Sequence, residues 1–522
     1  MVPLGFLAVF FLWPVAAIIQ RGLGDGVTRV LADSQTWELV GFTLAQAGAA
    51  TVLAVLCGLP VAFLLARCAV PGIALVRAAI LVPFVLPTVV VGLAFRALMP
   101  DGGVVAIVLA NAFFNVAVVA RTVAGLWTHL DRRAEDAARA LGASRARTFT
   151  SVTLPALIPA IGSAAAVVFL FCATSFGVVL VLGGAEYRTL ETEIYLRTVE
   201  LLDLSGAAAL SLLQLAAVLS VLVIGAVARR RRETAMRLRG RVETARHPRG
   251  GEWVTVALAY AVVALLLVPV VTLVLRSLTS ADGWSLDGYR ALSGTGYRGS
   301  LQVTGFEAAL NSLRTATDAT LLALLLGGVT SVVLVSLGRS RVRPAVVDTV
   351  DTLFMLPLGV SAVTVGFGYL ITLHLLPGDL RTSAVLVPLA QALVVTPLIV
   401  RMLLPVLRSI DDRLRQAAAT LGAGPARVWW SVDVPLAGRS LMAAAAFGYV
   451  VALGEFGATS FLVRPDSATL PVVIGRLISR PGELNNQMAY AACTLLMVVT
   501  IAVVLVVERL RVPTGPGSVG EF

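Results

Sequence analysis

Lysine is absent: the 41 lysine and arginine positions of this 522-residue chain are all arginine. A phosphate-cradling G-x-x-x-x-G-K-[ST] loop therefore cannot be written anywhere in it, and the chain cannot hydrolyse nucleotides through such a loop. Charge of either sign is scarce, at 14% of residues, against roughly 25% in soluble proteins. Cys57, Cys68, Cys172 and Cys493 are scattered in or beside apolar segments without C-x-x-C spacing, so neither a disulfide framework nor a zinc site is indicated. His129, His247 and His374 lie far apart and read as ordinary loop or helix-end residues. No nucleophile–base pair or carboxylate cluster has a catalytic arrangement, so no catalytic and no metal-binding residue is assigned, and no cofactor is expected on this chain.

Apolar residues supply 58% of the chain and its mean hydropathy is +0.90. Runs of about 20 apolar residues, enough to cross a hydrocarbon core as helices, recur throughout. The chain is thus an all-α polytopic membrane protein. Expected spans lie near 3–19, 39–66, 76–98, 104–124, 157–183 and 207–228, then 253–275, 309–337, 348–375, 383–405, 441–463 and 487–507. Met1 to Ile19 lacks a basic leader and a small-residue cleavage site, which favours a first transmembrane helix over a signal peptide. A short basic segment ahead of Met1 is compatible with that reading. The net charge of +11 does not point to nucleic acid, because the arginines cluster at the ends of apolar runs. With a cytoplasmic N-terminus, every loop assigned to the cytoplasm carries arginine, as the positive-inside rule requires. Both termini then lie in the cytoplasm.

The chain repeats itself. Asp136-Ala137-Ala138, Leu141-Gly142-Ala143, Arg147, Ser151-Val152 and Pro155 return as Gln416-Ala417-Ala418, Leu421-Gly422-Ala423, Arg427, Ser431-Val432 and Pro435, always 280 positions later (416 − 136, 422 − 142, 435 − 155). Arg121 and Arg401, Phe176-Gly177 and Phe456-Gly457, and Thr189-Leu190 and Thr469-Leu470 keep the same offset. This is one unit made twice in parallel orientation. It divides the chain into a first half at 1–228, an arginine-rich cytoplasmic linker at 229–252, a second half at 253–510 and a tail at 511–522. The linker reads as a flexible tether that anchors orientation; its alternative use is binding anionic lipid headgroups.

Each repeat predicts a compact knob. Ala134 to Leu141 favours a short helix, Gly142 permits a sharp bend, Ala146 to Thr153 is a second short amphipathic segment, and Pro155 breaks or kinks the chain. Gly422, Trp429, Val432 and Pro435 repeat the pattern. Asp-Ala-Ala-x3-Gly-x9-Val-x-Leu-Pro at Asp136 to Pro155 resembles the EAA loop of permease subunits of binding-protein-dependent ABC importers, and Gln416 to Pro435 resembles a second copy. Asp136 and Gln416 depart from the family's leading glutamate, and Val434 replaces a leucine. Asn111-Ala112-Phe113-Phe114-Asn115, Ser175-Phe176-Gly177, Leu182-Gly183-Gly184 and Leu190-Glu191-x-Glu193-Ile194-Tyr195 look more like the fused thiamine permeases, whereas Gly454-Glu455-Phe456-Gly457 is shared more loosely by both the fused thiamine and the fused ferric-iron permeases.

That resemblance implies a type I ABC importer permease fold (MetI-like), about 12 transmembrane helices in two parallel six-helix halves with EAA loops at 131–155 and 411–435. It implies a permease, not an enzyme, that moves a small solute, thiamine or ferric iron, from an extracytoplasmic binding protein across a bacterial inner membrane. Its partners would be that binding protein, membrane lipid and two copies of an ABC ATPase subunit carrying ATP and Mg. Asp136, Ala137, Ala138, Gly142 and Pro155, with Gln416, Ala417, Ala418, Gly422 and Pro435, would couple to the ATPase. Intramembrane polar residues are candidates for the solute pathway. Ser175, Phe176, Glu455 and Phe456 are assigned there, Glu455 either drawing a cationic solute or forming a gate contact, or else tying helices together. Asn111, Asn115, Gln391 and Thr396 read as interhelical glue. An ion-gradient-driven secondary transporter also fits twelve spans in two parallel halves, but has no need of twin cytoplasmic knobs. A membrane-embedded enzyme lacks a catalytic constellation.

Overall fold

A computed structural model describes residues 2–230, 246–280, 283–296, 299, 301–339, 343–373, 378 and 383–510. His374, most of the linker and the tail lie outside them. Helices dominate, and Thr279–Ser280 pairs antiparallel with Gly283–Trp284 in one small hairpin. Among the described residues, ten helices are long and apolar enough to cross a membrane, or up to twelve if each of two bent helix pairs counts as one span.

Those bent pairs replace two of the expected continuous spans. The apolar run at 76–98 is Ile73–Val85 followed by Thr88–Leu98, with a bend of 101°. Leu86 is extended because the Pro87 ring clashes with a helical residue before it. In the run at 348–375 a 3-10 turn containing Pro357, Leu356–Gly359, ends the first helix, Val360 and Ser361 are extended, and the bend is 95°. The runs at 157–183 and 441–463 are also interrupted. Leu154–Ala173 ends before the short helix Gly177–Leu182, and Val434–Gly454 before Thr459–Leu462.

Packing divides the chain differently from the sequence halves. One compact unit comprises Ile19–Ala291 with Ile478–Thr494; the other comprises Met1–Ile18, Leu292–Leu477 and Leu495–Phe522. The first helix of each sequence half therefore packs with the body of the opposite half. Glu252–Ser277 lies against Ser34–Arg67, Ile73–Val85 and Thr88–Leu98. In the other unit, Phe10 meets Tyr369 with ring centroids 6.2 Å apart, and Pro14 and Ile18 pack where Gly368 has no side chain. A sequence-half boundary records connectivity; which neighbour buries an apolar stripe is decided by packing.

Within each unit the central contact is a long helix laid closely on another. Ser34–Arg67, capped by Asp33 accepting from Gln35 N (3.0 Å), packs on Gly103–His129 through buried Ala47, Ala50, Ala54 and Ala62. A Cβ on Gly58 would lie 2.7 Å from Val119. Gly305–Arg339 packs likewise on Leu386–Ser409, where a Cβ on Gly327 would lie 2.8 Å from Ile399. Small residues let membrane helices approach without a hydrophobic driving force between them. Gly58 and Gly327 are 269 positions apart, as are Thr43 and Ser312, whose hydroxyls accept from Leu190 N (3.1 Å) and Leu470 N (2.7 Å). The repeat thus extends to these helices, with an 11-residue difference in register (280 − 269).

Candidate functional site: twin knobs and a buried polar turn

The first knob begins at Asp131, whose carboxylate accepts from Arg133 N (3.0 Å) and caps the helix Arg132–Ala140. The helix ends in a Schellman turn: Gly142 N donates to Arg139 O (2.9 Å) and Ala143 N to Ala138 O (3.0 Å), with Gly142 at φ 85°. The second knob repeats each feature. Asp411 caps Asp412–Thr420, Gly422 N reaches Ala419 O (3.0 Å), Ala423 N reaches Ala418 O (3.0 Å), and Gly422 has φ 84°. Both glycines hold a left-handed conformation that side chains disfavour. The structure places Asp136, Ala137 and Ala138, and Gln416, Ala417 and Ala418, on these two short helices, and no residue of either helix is buried.

Past each corner the chain does something the sequence pattern does not foretell. Pro155 and Pro435 do not stop the chain. Arg145–Thr148, a π turn at Phe149–Thr153 and Leu154–Ala173 form one 29-residue helix, and Ala426–Gly454 is its counterpart with a π turn at Trp429–Asp433. The wider π turn just ahead of each proline accommodates the missing N–H and the ring that would crowd an α-helical carbonyl. Each corner glycine is therefore followed by a single rod running from the knob into the apolar region. Phe149 seats it against Trp127 (ring centroids 6.2 Å apart), and Trp429, its counterpart, packs against the core cluster that includes Leu404 and Leu407.

Ion pairs clamp both knobs, with opposite polarity. Glu135 accepts from the buried Arg67 (2.9 Å) and from Thr153 Oγ1 (3.1 Å). At the equivalent positions stand Arg415 and Asp433, and Arg415 Nε donates to Asp433 Oδ1 (2.7 Å) while Nη1 donates to Ile410 O (3.0 Å) and Asp412 Oδ1 (2.9 Å). Sequence reasoning missed these clamps because the repeat is broken where they sit. It also passed over Leu141 and Leu421, kept in the repeat but given no role. They are 90% and 88% exposed, the two most exposed large hydrophobic side chains among the described residues. An apolar residue immediately before the corner glycine of an otherwise polar helix was the available signal.

The candidate pathway residues are buried at the interruptions of the two rods. Ser175 Oγ donates to Asn111 Oδ1 (2.8 Å), Asn111 Nδ2 to Gln46 Oε1 (2.9 Å), and Gln46 Nε2 to Cys172 O (2.8 Å); Asn115 Nδ2 donates to Asn111 O (2.8 Å). This network joins three helices. In the other unit Glu455 accepts from Ala458 N (2.7 Å), Thr459 N (3.0 Å) and the Thr459 hydroxyl, and Gln391 Nε2 reaches Thr459 Oγ1 (3.4 Å). Glu455 thus caps the short helix Thr459–Leu462. Thr396 bonds to its own helix at Ala392 O (2.7 Å). Phe176 stacks on Tyr195 (centroids 5.2 Å apart), whereas Phe456 extends over Gly475, the position matching Tyr195. Gly177 and Gly457 allow these turns to press onto Thr88–Val89 and Ala362–Val363, the starts of the second helices of the bent pairs.

A multi-span helical scaffold with duplicated, solvent-exposed helix–glycine–helix knobs defines a membrane transport permease. Residues 54–233 match the family of binding-protein-dependent transport system inner membrane components. The chain is 25% identical over 520 residues to the thiamine transport system permease protein ThiP of Brucella abortus, covering 95% of this chain and 91% of that protein. It is 30% identical over 181 residues to the molybdate/tungstate transport system permease protein WtpB of Thermococcus kodakarensis, covering 34% of this chain and 73% of that protein. A probable sulfate transport system permease protein of Nephroselmis olivacea is 29% identical over 223 residues, covering 39% of this chain and 78% of that protein. The chain belongs to the binding-protein-dependent transport permeases, the membrane subunits of ABC importers, and is a fused permease similar to those for thiamine.

Proposed function

We propose that this permease receives thiamine or ferric iron from an extracytoplasmic binding protein and passes it into the cytoplasm, driven by two copies of a separate ATPase subunit that hold ATP and Mg. Thiamine has the stronger support: a relative named for it matches across both halves, whereas the molybdate/tungstate and sulfate relatives match 34% and 39% of the chain. Ferric iron rests on the fused layout and the loosely shared Gly454-Glu455-Phe456-Gly457 motif. The knobs would face the cytoplasm of a bacterial cell, a reading the arginine distribution supports, and both termini would share that side.

The observation that carries the coupling role is the pair Leu141 and Leu421, apolar and nearly fully exposed at equivalent corners. A monomer gains nothing from holding two such leucines in water, whereas a partner groove would bury them. The Schellman turns and clamps keep each corner rigid, so closure of the ATPase pair would move each knob as a body. Each rod then carries that movement to the turn bearing Ser175 or Glu455. At these turns Ser175, Phe176 and Phe456 would gate the solute path, while Glu455 would fix the turn that carries Phe456.

The test is reconstitution in vesicles with the ATPase and binding protein whose genes adjoin this one. ATP-dependent uptake of labelled thiamine is expected, with ferric iron as the comparison. Leu141→Asp with Leu421→Asp should release the ATPase on purification and abolish uptake. Retention of the ATPase by that double variant would remove the docking role.

A further inference from the structure

The end of the interhalf linker is not a free tether. Arg246 pairs in parallel with Cys68, its N–H donating to Arg67 O (3.1 Å) and its carbonyl accepting from Ala69 N (2.9 Å). Three residues on, Arg249 O accepts from Arg145 Nη1 of the first knob (2.7 Å). Glu252 closes the arrangement: it accepts from Arg246 Nη2 (2.7 Å) and Arg249 N (2.9 Å), and lies 3.9 Å from Arg139 Nη2 on the first knob. Gly250 turns with φ 54°, and a Cβ there would lie 3.2 Å from the Arg145 guanidinium.

Among the described residues the second knob does not make these contacts, and its ion-pair partner from outside the knob is Arg339, paired with Asp412 (3.0 Å). At the 280-residue offset Arg139 becomes Ala419 and Arg145 becomes Pro425, though the corner glycine, the flanking leucine and the capping aspartate are all kept. The two arginines that meet the strap occur in the copy of the knob beside which the linker returns to the membrane. We propose that Arg246–Glu252 is a strap that positions the first coupling knob, with Arg145, Arg139 and Glu252 as positioning residues, so that fusing the halves supplies a brace to one knob and not to the other. The proposal rests on the coupling role above for its consequence, but not for the brace itself.

Cys68 reports on the strap. It is buried beneath it, and burial followed by the nearby Glu252 carboxylate pushes its thiol up to about 11, so alkylation at pH 8 should be slow. Arg145→Ala should raise Cys68 alkylation in the full-length protein by roughly fivefold, the factor set by a partly exposed charged hydrogen bond. Glu252→Gln also removes a charge that raises the thiol, so both variants are compared by amide exchange. Amide exchange should rise in 132–148 and stay unchanged in 412–428. In the reconstituted complex, solute moved per ATP hydrolysed should fall while the ATPase stays bound. Unchanged exchange, or an equal rise in both knobs, would overturn the brace. Faster exchange with an unchanged transport-to-hydrolysis ratio would overturn its role in coupling. Loss of the bound ATPase in Arg145→Ala but not in Glu252→Gln would make Arg145 a direct contact instead. Failure of docking as such is read separately, from the leucine double variant.

Discussion

Glu455 shows how far a single side chain can be read from its type. A carboxylate inside an apolar run is costly, and the sequence alone leaves open whether it serves the solute or the fold. Its oxygens are occupied by Ala458 N, Thr459 N and the Thr459 hydroxyl, so its work in this conformation is to end one helix and begin the next. Glu455→Gln replaces one acceptor oxygen by a donor facing donors, which should cost about 1–3 kcal/mol. The melting temperature should drop by several degrees while uptake per folded molecule persists. Unaltered melting with collapsed uptake would move Glu455 into the solute path. The pattern Gly-Glu-Phe-Gly made the position conspicuous, but a cap depends on where the helix stops, and hydropathy does not register that.

At the scale of elements, the corner glycines were fully legible. Their spacing and the residues around them predict a bend, and the structure holds Gly142 and Gly422 at φ 85° and 84°. Gly142→Pro together with Gly422→Pro forces φ near −65° and removes the N–H that bonds Arg139 O or Ala419 O. Coupled uptake should vanish with membrane insertion intact; normal transport by this variant would refute the coupling role. Other elements were hidden for identifiable reasons. The runs at 76–98 and 348–375 look continuous because hydropathy sums apolarity and is blind to direction, yet in each the chain turns through about a right angle. Pro155 and Pro435 misled in the opposite sense, since a π turn absorbs each of them. The clamps were invisible because Glu135 and Arg415 are equivalent in place and opposite in charge.

On the scale of the whole molecule, the 280-residue offset made the duplication plain. It did not reveal that the first helix of each half joins the other half's compact unit, because a repeat records descent and not contact. Parallel duplication predicts that both knobs face one side of the membrane. In inverted vesicles made without the ATPase subunit, Leu141→Cys and Leu421→Cys should each react with a membrane-impermeant maleimide, and neither should react in intact cells. Labelling from opposite sides would dismiss the shared orientation. The uninterrupted rods have one more consequence. A 29-residue helix is about 44 Å long, and each rod has a corner glycine just before one end and Ser175 or Glu455 just beyond the other. Tilting such a beam by about 5° sweeps its far tip through roughly 4 Å, more than the width of an atom. Under the proposed coupling, handle and latch would need no relay of intermediate parts, because they would be opposite ends of the same lever.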